Sequence, residues 1–282
     1  MPDLLITTNG FTGTWASIEY GAWLAESMRM KATLLGVTEN PGPAAIDDRH
    51  PLEDIFARAV ELFRQKSVEY SLEIQNGDAE HVIPRKAQEG NYITVIGPLG
   101  RTSFRRWLIG RSIRHFMESI SGPILYVPQA CLPLNRLLLC VGGLGYDVDA
   151  ENLALQIALR SGASVTLLHI VPPVDLDYPP ARVASEHWKD LIDTDTVLGR
   201  NLRKALEVVK AAGLDAAVQL RKGNVVEEIV SELKTGNYDL LCMGSPFSGN
   251  PLRHLYTPNV TAEVAESAHC PVLTARFKRE PL

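Results

Sequence analysis

The residues best suited to chemistry lie in one run, Gly97-Pro98-Leu99-Gly100-Arg101-Thr102-Ser103-Phe104-Arg105-Arg106-Trp107-Leu108-Ile109-Gly110-Arg111-Ser112-Ile113. Gly97 and Gly100 let a backbone turn tightly and approach a ligand without a Cβ in the way. Gly110 stands just before a stretch in which Ile113, Phe116, Met117 and Ile120 recur at helical spacing. The first N–H groups of a helix lack partners within it and are positively polarised, so this junction suits a phosphate. The Ser112 hydroxyl adds a donor. Arg101 and Arg111 flank the glycines and are the best cationic partners for an anion. Catalytic parts are missing from the same run. From Gly97 to Arg114 there is no carboxylate to hold magnesium or activate water, and the chain has no GxxxxGK[ST] loop. The expectation is a binding protein and not an enzyme, with slow hydrolysis at most.

Such a loop needs a strand before it and a helix after it. Ile93, Val95 and Ile96 form the strand, which ends at Ile96, and the helix follows Gly110. The same order of pieces occurs twice. Gly77-Asp78 leads to Gly90-Asn91-Tyr92 and an apolar run; Gly223-Asn224 leads to Gly236-Asn237-Tyr238 and another. Ser121-Gly122-Pro123-Ile124-Leu125-Tyr126-Val127 parallels His269-Cys270-Pro271-Val272-Leu273-Thr274-Ala275. Leu4-Leu5-Ile6 parallels Leu137-Leu138-Leu139, and the run from Ala32 to Val37 parallels that from Ser164 to Ile170. Four matches in order define an internal repeat. Within each copy, short apolar runs alternate with amphipathic helices. Leu52, Ile55, Phe56, Ala59, Leu62 and Phe63 share one helical face after Pro51, and Leu198, Leu202, Ala205, Val209 and Ala212 share another. Buried strands between such helices predict an α/β fold: two doubly wound, five-stranded parallel-sheet domains of Rossmann-like type in tandem. The domains run 1–130 and 134–282, joined near Pro133, with an insertion around 172–195 in the second read as a surface loop with partial helix.

Composition sets the outer limits. At 282 residues, each copy is long enough to bury its own core. A formal net charge of −5 argues against nucleic acid or an anionic membrane as partner. The four cysteines show no CxxC pair and no disulfide framework, which predicts reduced thiols and a cytoplasmic setting. No apolar run approaches the ~20 residues of a membrane span.

Gly97, Gly100 and Gly110, spaced Gly-x2-Gly-x9-Gly, resemble the nucleotide loop of the universal stress proteins. The resemblance covers nearly the whole chain as two family domains, adenine nucleotide alpha hydrolase-like in fold. It extends to the turn at Thr7-Thr8-Asn9-Gly10, the strand ending at Val37, the pair Gly77-Asp78 and the closing Gly-Pro-Ile-Leu-Tyr-Val-Pro. It implies ATP binding, with or without Mg, in the first domain. Thr7, Thr8 and Asn9 would lie near the adenosine, Val37 would meet adenine through its backbone, and the run from Ile96 through Ser112 would hold ribose and phosphates. It also implies pairing of the two domains through their last strands as an intramolecular pseudo-dimer, and a further homodimer. Two positions depart from the family pattern. Asn9 stands where the family has Asp, and Arg111 where it has Ser or Thr. A guanidinium at 111 can pair with phosphate or fill the pocket; Ser112 supplies a hydroxyl one place later.

The second copy has lost most of the loop. Gly244 survives, but Phe247 and Thr257 replace the other glycines, Pro258 removes an N–H near the helix start, and Gly142 stands at the Asn9 position. No ATP is expected there. Other candidates read as structure. The seven histidines show no HxxxH or HExxH spacing, so no metal site is expected. His115 and His169 read as packing or hydrogen-bonding residues, and Trp107 as packing. The function these features point to is an adenine-nucleotide-binding regulatory protein of stress response. The alternative is a scaffold, or a sensor of another small ligand, with a vestigial loop.

Overall fold

The structure is a computed structural model that describes residues 2–38, 51–99, 112–142, 148–171, 188–245 and 260–276. The chain divides into two compact units, Met1–Leu132 with His269–Val272, and Pro133–Ala268 with Leu273–Leu282.

In the first unit, β1 (Asp3–Thr8) is followed by a 3-10 turn (Thr12–Thr14) and α1 (Trp15–Met28). Then come β2 (Ala32–Thr38), α2 (Pro51–Gln65), β3 (Tyr70–Asn76) and α3 (Ala79–Gln88). The unit closes with β4 (Tyr92–Ile96), α4 (Ser112–Ser119) and β5 (Ile124–Tyr126). Strand order is β3-β2-β1-β4-β5, every pair parallel. The near-continuous apolar strands β1, β2 and β4 are central and buried at all but one end residue each, as a parallel sheet covered on both faces requires. The helical stripe after Pro51 buries Leu52, Ile55, Ala59 and Phe63. Ile113, Phe116 and Met117 of α4, and Ile120 just after it, all reach the core.

The second unit repeats the order. It runs β6 (Arg136–Cys140), α5 (Val148–Ser161), β7 (Ser164–Val171) and a 3-10 segment (Trp188–Asp193). It continues with α6 (Val197–Ala211), β8 (Ala216–Lys222), α7 (Val225–Gly236), β9 (Leu240–Ser245), α8 (Val260–Ser267) and β10 (Val272–Arg276). Its strands are ordered β8-β7-β6-β9-β10. The tail of the expected insertion is thus helical in part, and residues 172–187 lie outside the described residues.

The repeated dipeptides have local causes. Asp78 caps α3 by accepting from Glu80 N at 3.0 Å, and Asn224 caps α7 by accepting from Val226 N at 3.0 Å. In Gly90-Asn91-Tyr92 and Gly236-Asn237-Tyr238, a Cβ on the glycine would run into the tyrosine ring. The tyrosine folds back over the glycine, so the two residues are needed together.

Tyr238 also anchors a polar cluster. Its hydroxyl donates to Glu232 Oε1 at 2.8 Å, and Arg221 donates to Glu232 Oε2 at 2.7 Å and to Glu228 Oε2 at 2.7 Å. Burial, first, and then the Glu232 bond push the phenol above its ordinary 10.0, although a bond with Thr166 opposes them. The neutral phenol is the form the fold favours. Its stabilisation is therefore complete below pH 10 and is lost as pH rises through the raised value. Thermal unfolding followed from pH 8 to 11 should show an alkaline loss of stability in the wild type that is smaller in Tyr238→Phe. The same slope in both proteins would rule out the assignment.

Candidate functional site

In the first unit, β1 lies between β2 and β4. The chain leaves β1 through α1 toward β2, and leaves β4 through α4 toward β5. The connections diverge between β1 and β4, and ligands of open parallel sheets bind in the crevice beyond such a point. The sequence-predicted residues Thr7, Thr8, Asn9, Val37, Ile96 and Gly97 all fall at this edge.

Thr7 and Thr8 end β1 and are buried. The Thr7 hydroxyl donates to Val95 O at 3.1 Å, joining β1 to β4. Thr14 Oγ1 donates to Phe11 O at 2.6 Å, and Thr8 Oγ1 lies 2.6 Å from Thr14 Oγ1. A hydroxyl has one proton, so Thr8 is the donor of that pair. Thr8 Oγ1 in turn accepts from Gly10 N at 3.2 Å. The hydroxyls thus brace the turn from β1 into α1.

Asn9 spans the crevice. Its Oδ1 accepts from Phe11 N at 3.3 Å, and its Nδ2 donates to Leu99 O at 2.9 Å. The partners settle the orientation of the amide, since Phe11 offers a donor and Leu99 an acceptor. Asn9 therefore ties the β1 turn to the turn after β4, a bond that a carboxylate has no proton to make. This gives a physical reason for amide at a position where the family pattern has acid.

Val37 is fully buried in β2, and the register of β2 with β1 ends at Gly36, one residue earlier. Ile96 closes β4, its carbonyl accepting from Val127 N at 2.9 Å. Gly97 is buried. A Cβ on it would stand 2.9 Å from Ser17 Oγ, 3.1 Å from Ser17 Cβ and 3.2 Å from Thr14 Cα. The space freed by this glycine is taken by the first turn of α1 and not left to a ligand. Ser112 begins α4, as the loop-then-helix reading requires. Gly100, Arg101, Gly110 and Arg111 lie outside the described residues, as does Trp107.

Three residues that the sequence reading did not single out hold this edge together: Thr14, Ser17 and Leu99. Ser17 Oγ donates to Thr14 O at 2.7 Å. The one sequence signal for the first two is the Thr14-to-Ser17 spacing, which puts two hydroxyls on one face of an opening helical turn. Leu99 carried no signal, because it acts through its backbone.

In the second unit the corresponding strand edge is built differently. By strand register, Cys140, Val141 and Gly142 stand where Thr7, Thr8 and Asn9 stand in the first, and His169 stands at the place of Gly36. His169 is buried, with Nδ1 2.7 Å from Val141 O. A carbonyl only accepts, so the ring is protonated at Nδ1. His115 likewise donates through Nε2 to Glu80 O at 3.1 Å. Both histidines are hydrogen-bonded to backbone. Phe247, Thr257 and Pro258 lie outside the described residues. None of the four cysteines is in a disulfide, and among the described residues no helix is long and apolar enough to cross a membrane.

The sequence model of the universal stress protein family matches residues 133–276. The matched span is the second copy. The chain is 23% identical to the universal stress protein Slr1230 of Synechocystis sp. (strain ATCC 27184 / PCC 6803 / Kazusa), over 98% of this chain and 100% of that protein. It is similar in fold to a universal stress protein of Archaeoglobus fulgidus DSM 4304, with a TM-score of 0.66, 15% identity, and 97% of this chain and 96% of that one covered. A Pseudomonas aeruginosa UCBPP-PA14 protein described in the same terms gives a TM-score of 0.63 at 12% identity, covering 98% and 93% of the two chains.

Proposed function

The chain belongs to the universal stress protein family, and on that premise we propose that its first unit binds an adenine nucleotide, ATP with or without Mg, in a regulatory role in stress response. The observation that carries this reading is the convergence of the Thr7-Thr8-Asn9 turn, Val37 and the Ile96–Leu99 segment at the diverging point of a parallel sheet. There, braced backbone and the start of α4 favour a phosphorylated ligand. The glycine spacing of residues 97–110 supports it from sequence. The site serves as a sensor and not as a turnover enzyme, because the run from Gly97 to Arg114 holds no carboxylate.

The second unit acts as a structural partner without ATP, since its edge offers Cys140, Val141 and Gly142 in place of Thr7, Thr8 and Asn9. Each unit's strand order ends on its last strand, β5 or β10. An end strand exposes a row of backbone groups that seeks a partner. This supports the pseudo-dimer within the chain; a further homodimer of chains and a cytoplasmic setting belong to the same reading and rest on the family resemblance and the cysteine usage.

Calorimetric titration with ATP tests the claim. The wild type should give saturable heat, and Gly110→Trp, which puts a large side chain two residues before α4 in sequence, should give none. No heat from the wild type would remove the nucleotide; an equal response from the variant would move the site. One observation favours the second reading, a sensor of another ligand: the Thr8 and Asn9 side chains are already engaged within the protein. Mass spectrometry of whatever co-purifies separates the two, with an adenine nucleotide expected under the first and a different small molecule under the second.

A further inference from the structure

We infer that Asn9 is a positioning residue, whose side-chain amide latches the turn after β4 onto the turn after β1. The inference deepens the nucleotide reading and rests on it for its effect on ligand affinity. The latch itself rests on geometry alone.

Asn9 Nδ2 donates to Leu99 O at 2.9 Å across 90 residues of sequence, while Oδ1 accepts from Phe11 N at 3.3 Å. One planar group therefore joins two loops that no strand pairing joins, since β1 ends at Thr8 and β4 at Ile96. The Thr8–Thr14 hydroxyl pair holds the β1 side rigid, so the Leu99 carbonyl is fixed against a stiff frame. Leu99 is itself buried, which makes the bond to its carbonyl costly to replace by water. Gly100 is the next residue, so the latch acts at the point where the glycine loop begins.

The chemistry makes a specific demand. Position 9 needs a donor and an acceptor on one short side chain. An ionised carboxylate keeps the bond from Phe11 N but sets lone pairs against the Leu99 carbonyl. A protonated carboxyl restores the amide pattern, with O–H donating to Leu99 and C=O accepting from Phe11. An aspartate placed there is therefore a latch that opens as it ionises, and the unfavourable contact raises the pH at which it does so.

The test compares wild type, Asn9→Ala and Asn9→Asp at pH 8 and pH 5, by hydrogen exchange of the peptide covering residues 95–99 and by ATP titration. At pH 8 both variants should exchange faster than wild type and bind ATP less tightly, by about fivefold for Asn9→Asp, which loses the one bond to Leu99, and by more for Asn9→Ala, which loses the Phe11 bond as well. At pH 5 Asn9→Asp should return toward wild type in both measurements and Asn9→Ala should not. A purely space-filling role for Asn9 would show no acid rescue. Equal exchange in all three proteins at pH 8, or no difference between the variants at pH 5, overturns the latch. If wild type takes no ATP while the exchange pattern holds, the latch stands and the nucleotide reading falls.

Discussion

Replacing Gly97 with alanine will lower thermal stability and weaken nucleotide binding together. A Cβ at 97 would stand 2.9 Å from Ser17 Oγ and 3.2 Å from Thr14 Cα. Neither neighbour yields easily. Ser17 Oγ is held to Thr14 O at 2.7 Å, and Thr14 is held through its own hydroxyl to Phe11 O at 2.6 Å. The first turn of α1 must shift as a body, and overpacking of this kind costs about 1–3 kcal/mol. At about 2 kcal/mol the melting temperature falls by roughly 4–8 °C. The same shift displaces Thr14 from Thr8, so the braced turn carrying Asn9 moves as well. Calorimetric melting and ATP titration of the alanine variant should therefore change in the same direction. The second variant, Gly97→Ala with Ser17→Gly, relieves most of the contact. It should melt higher than the sum of the single effects predicts, although glycine in a helix costs about 1 kcal/mol of its own. A Gly97→Ala protein that melts and binds like the wild type would show that strand and helix do not meet here.

The repeat, the alternation of strands with helices and the buried stripes were legible because they follow from periodicity. Leu52, Ile55, Ala59 and Phe63 fall on one face whatever surrounds them, and apolar β1, β2 and β4 have nowhere to go but the centre of the sheet. Gly97 was legible as necessary but not in its reason. A glycine in a loop admits a ligand or admits a neighbouring helix, and only the position of Ser17 decides between them. Asn9 appears in sequence as a departure from a family pattern. Its partner is a backbone carbonyl 90 residues away, and carbonyls are shared by every residue type. The bond that explains the amide could not be inferred from side chains. The second copy shows the same limit from the other direction. His169 replaces a glycine of the first copy at a strand edge, which turns an isolated histidine in the sequence into a backbone-bound residue of the strand register.

Gly199→Ala gives the second large effect, and there two principles predict opposite signs. In a helix interior, alanine is favoured over glycine by about 1 kcal/mol, and Gly199 lies inside α6 (Val197–Ala211). Propensity alone predicts stabilisation. A Cβ at 199, however, would come within 2.5 Å of both Leu191 O and Thr194 O. These are backbone oxygens in a tethered segment. Thr194 O accepts from Arg203 Nη1 at 2.8 Å, Leu191 O accepts from Thr194 Oγ1 at 2.7 Å, and Leu191 is buried. Arg203 also donates to Ile192 O. To admit the methyl group, the segment from Trp188 to Asp195 must lift from α6, breaking the two Arg203 bonds and exposing Leu191. The loss of burial and hydrogen bonds exceeds the propensity gain, leaving a net destabilisation of about 1–3 kcal/mol. The signature is local as well as global. Hydrogen exchange should accelerate between residues 188 and 196 before the core of the unit is affected. Lys204→Ala, on an exposed position of the same helix, should stay within about 0.5 kcal/mol of wild type. A Gly199→Ala protein more stable than the wild type would mean that the segment rests on α6 too loosely to resist one methyl group, and propensity would then be the deciding term.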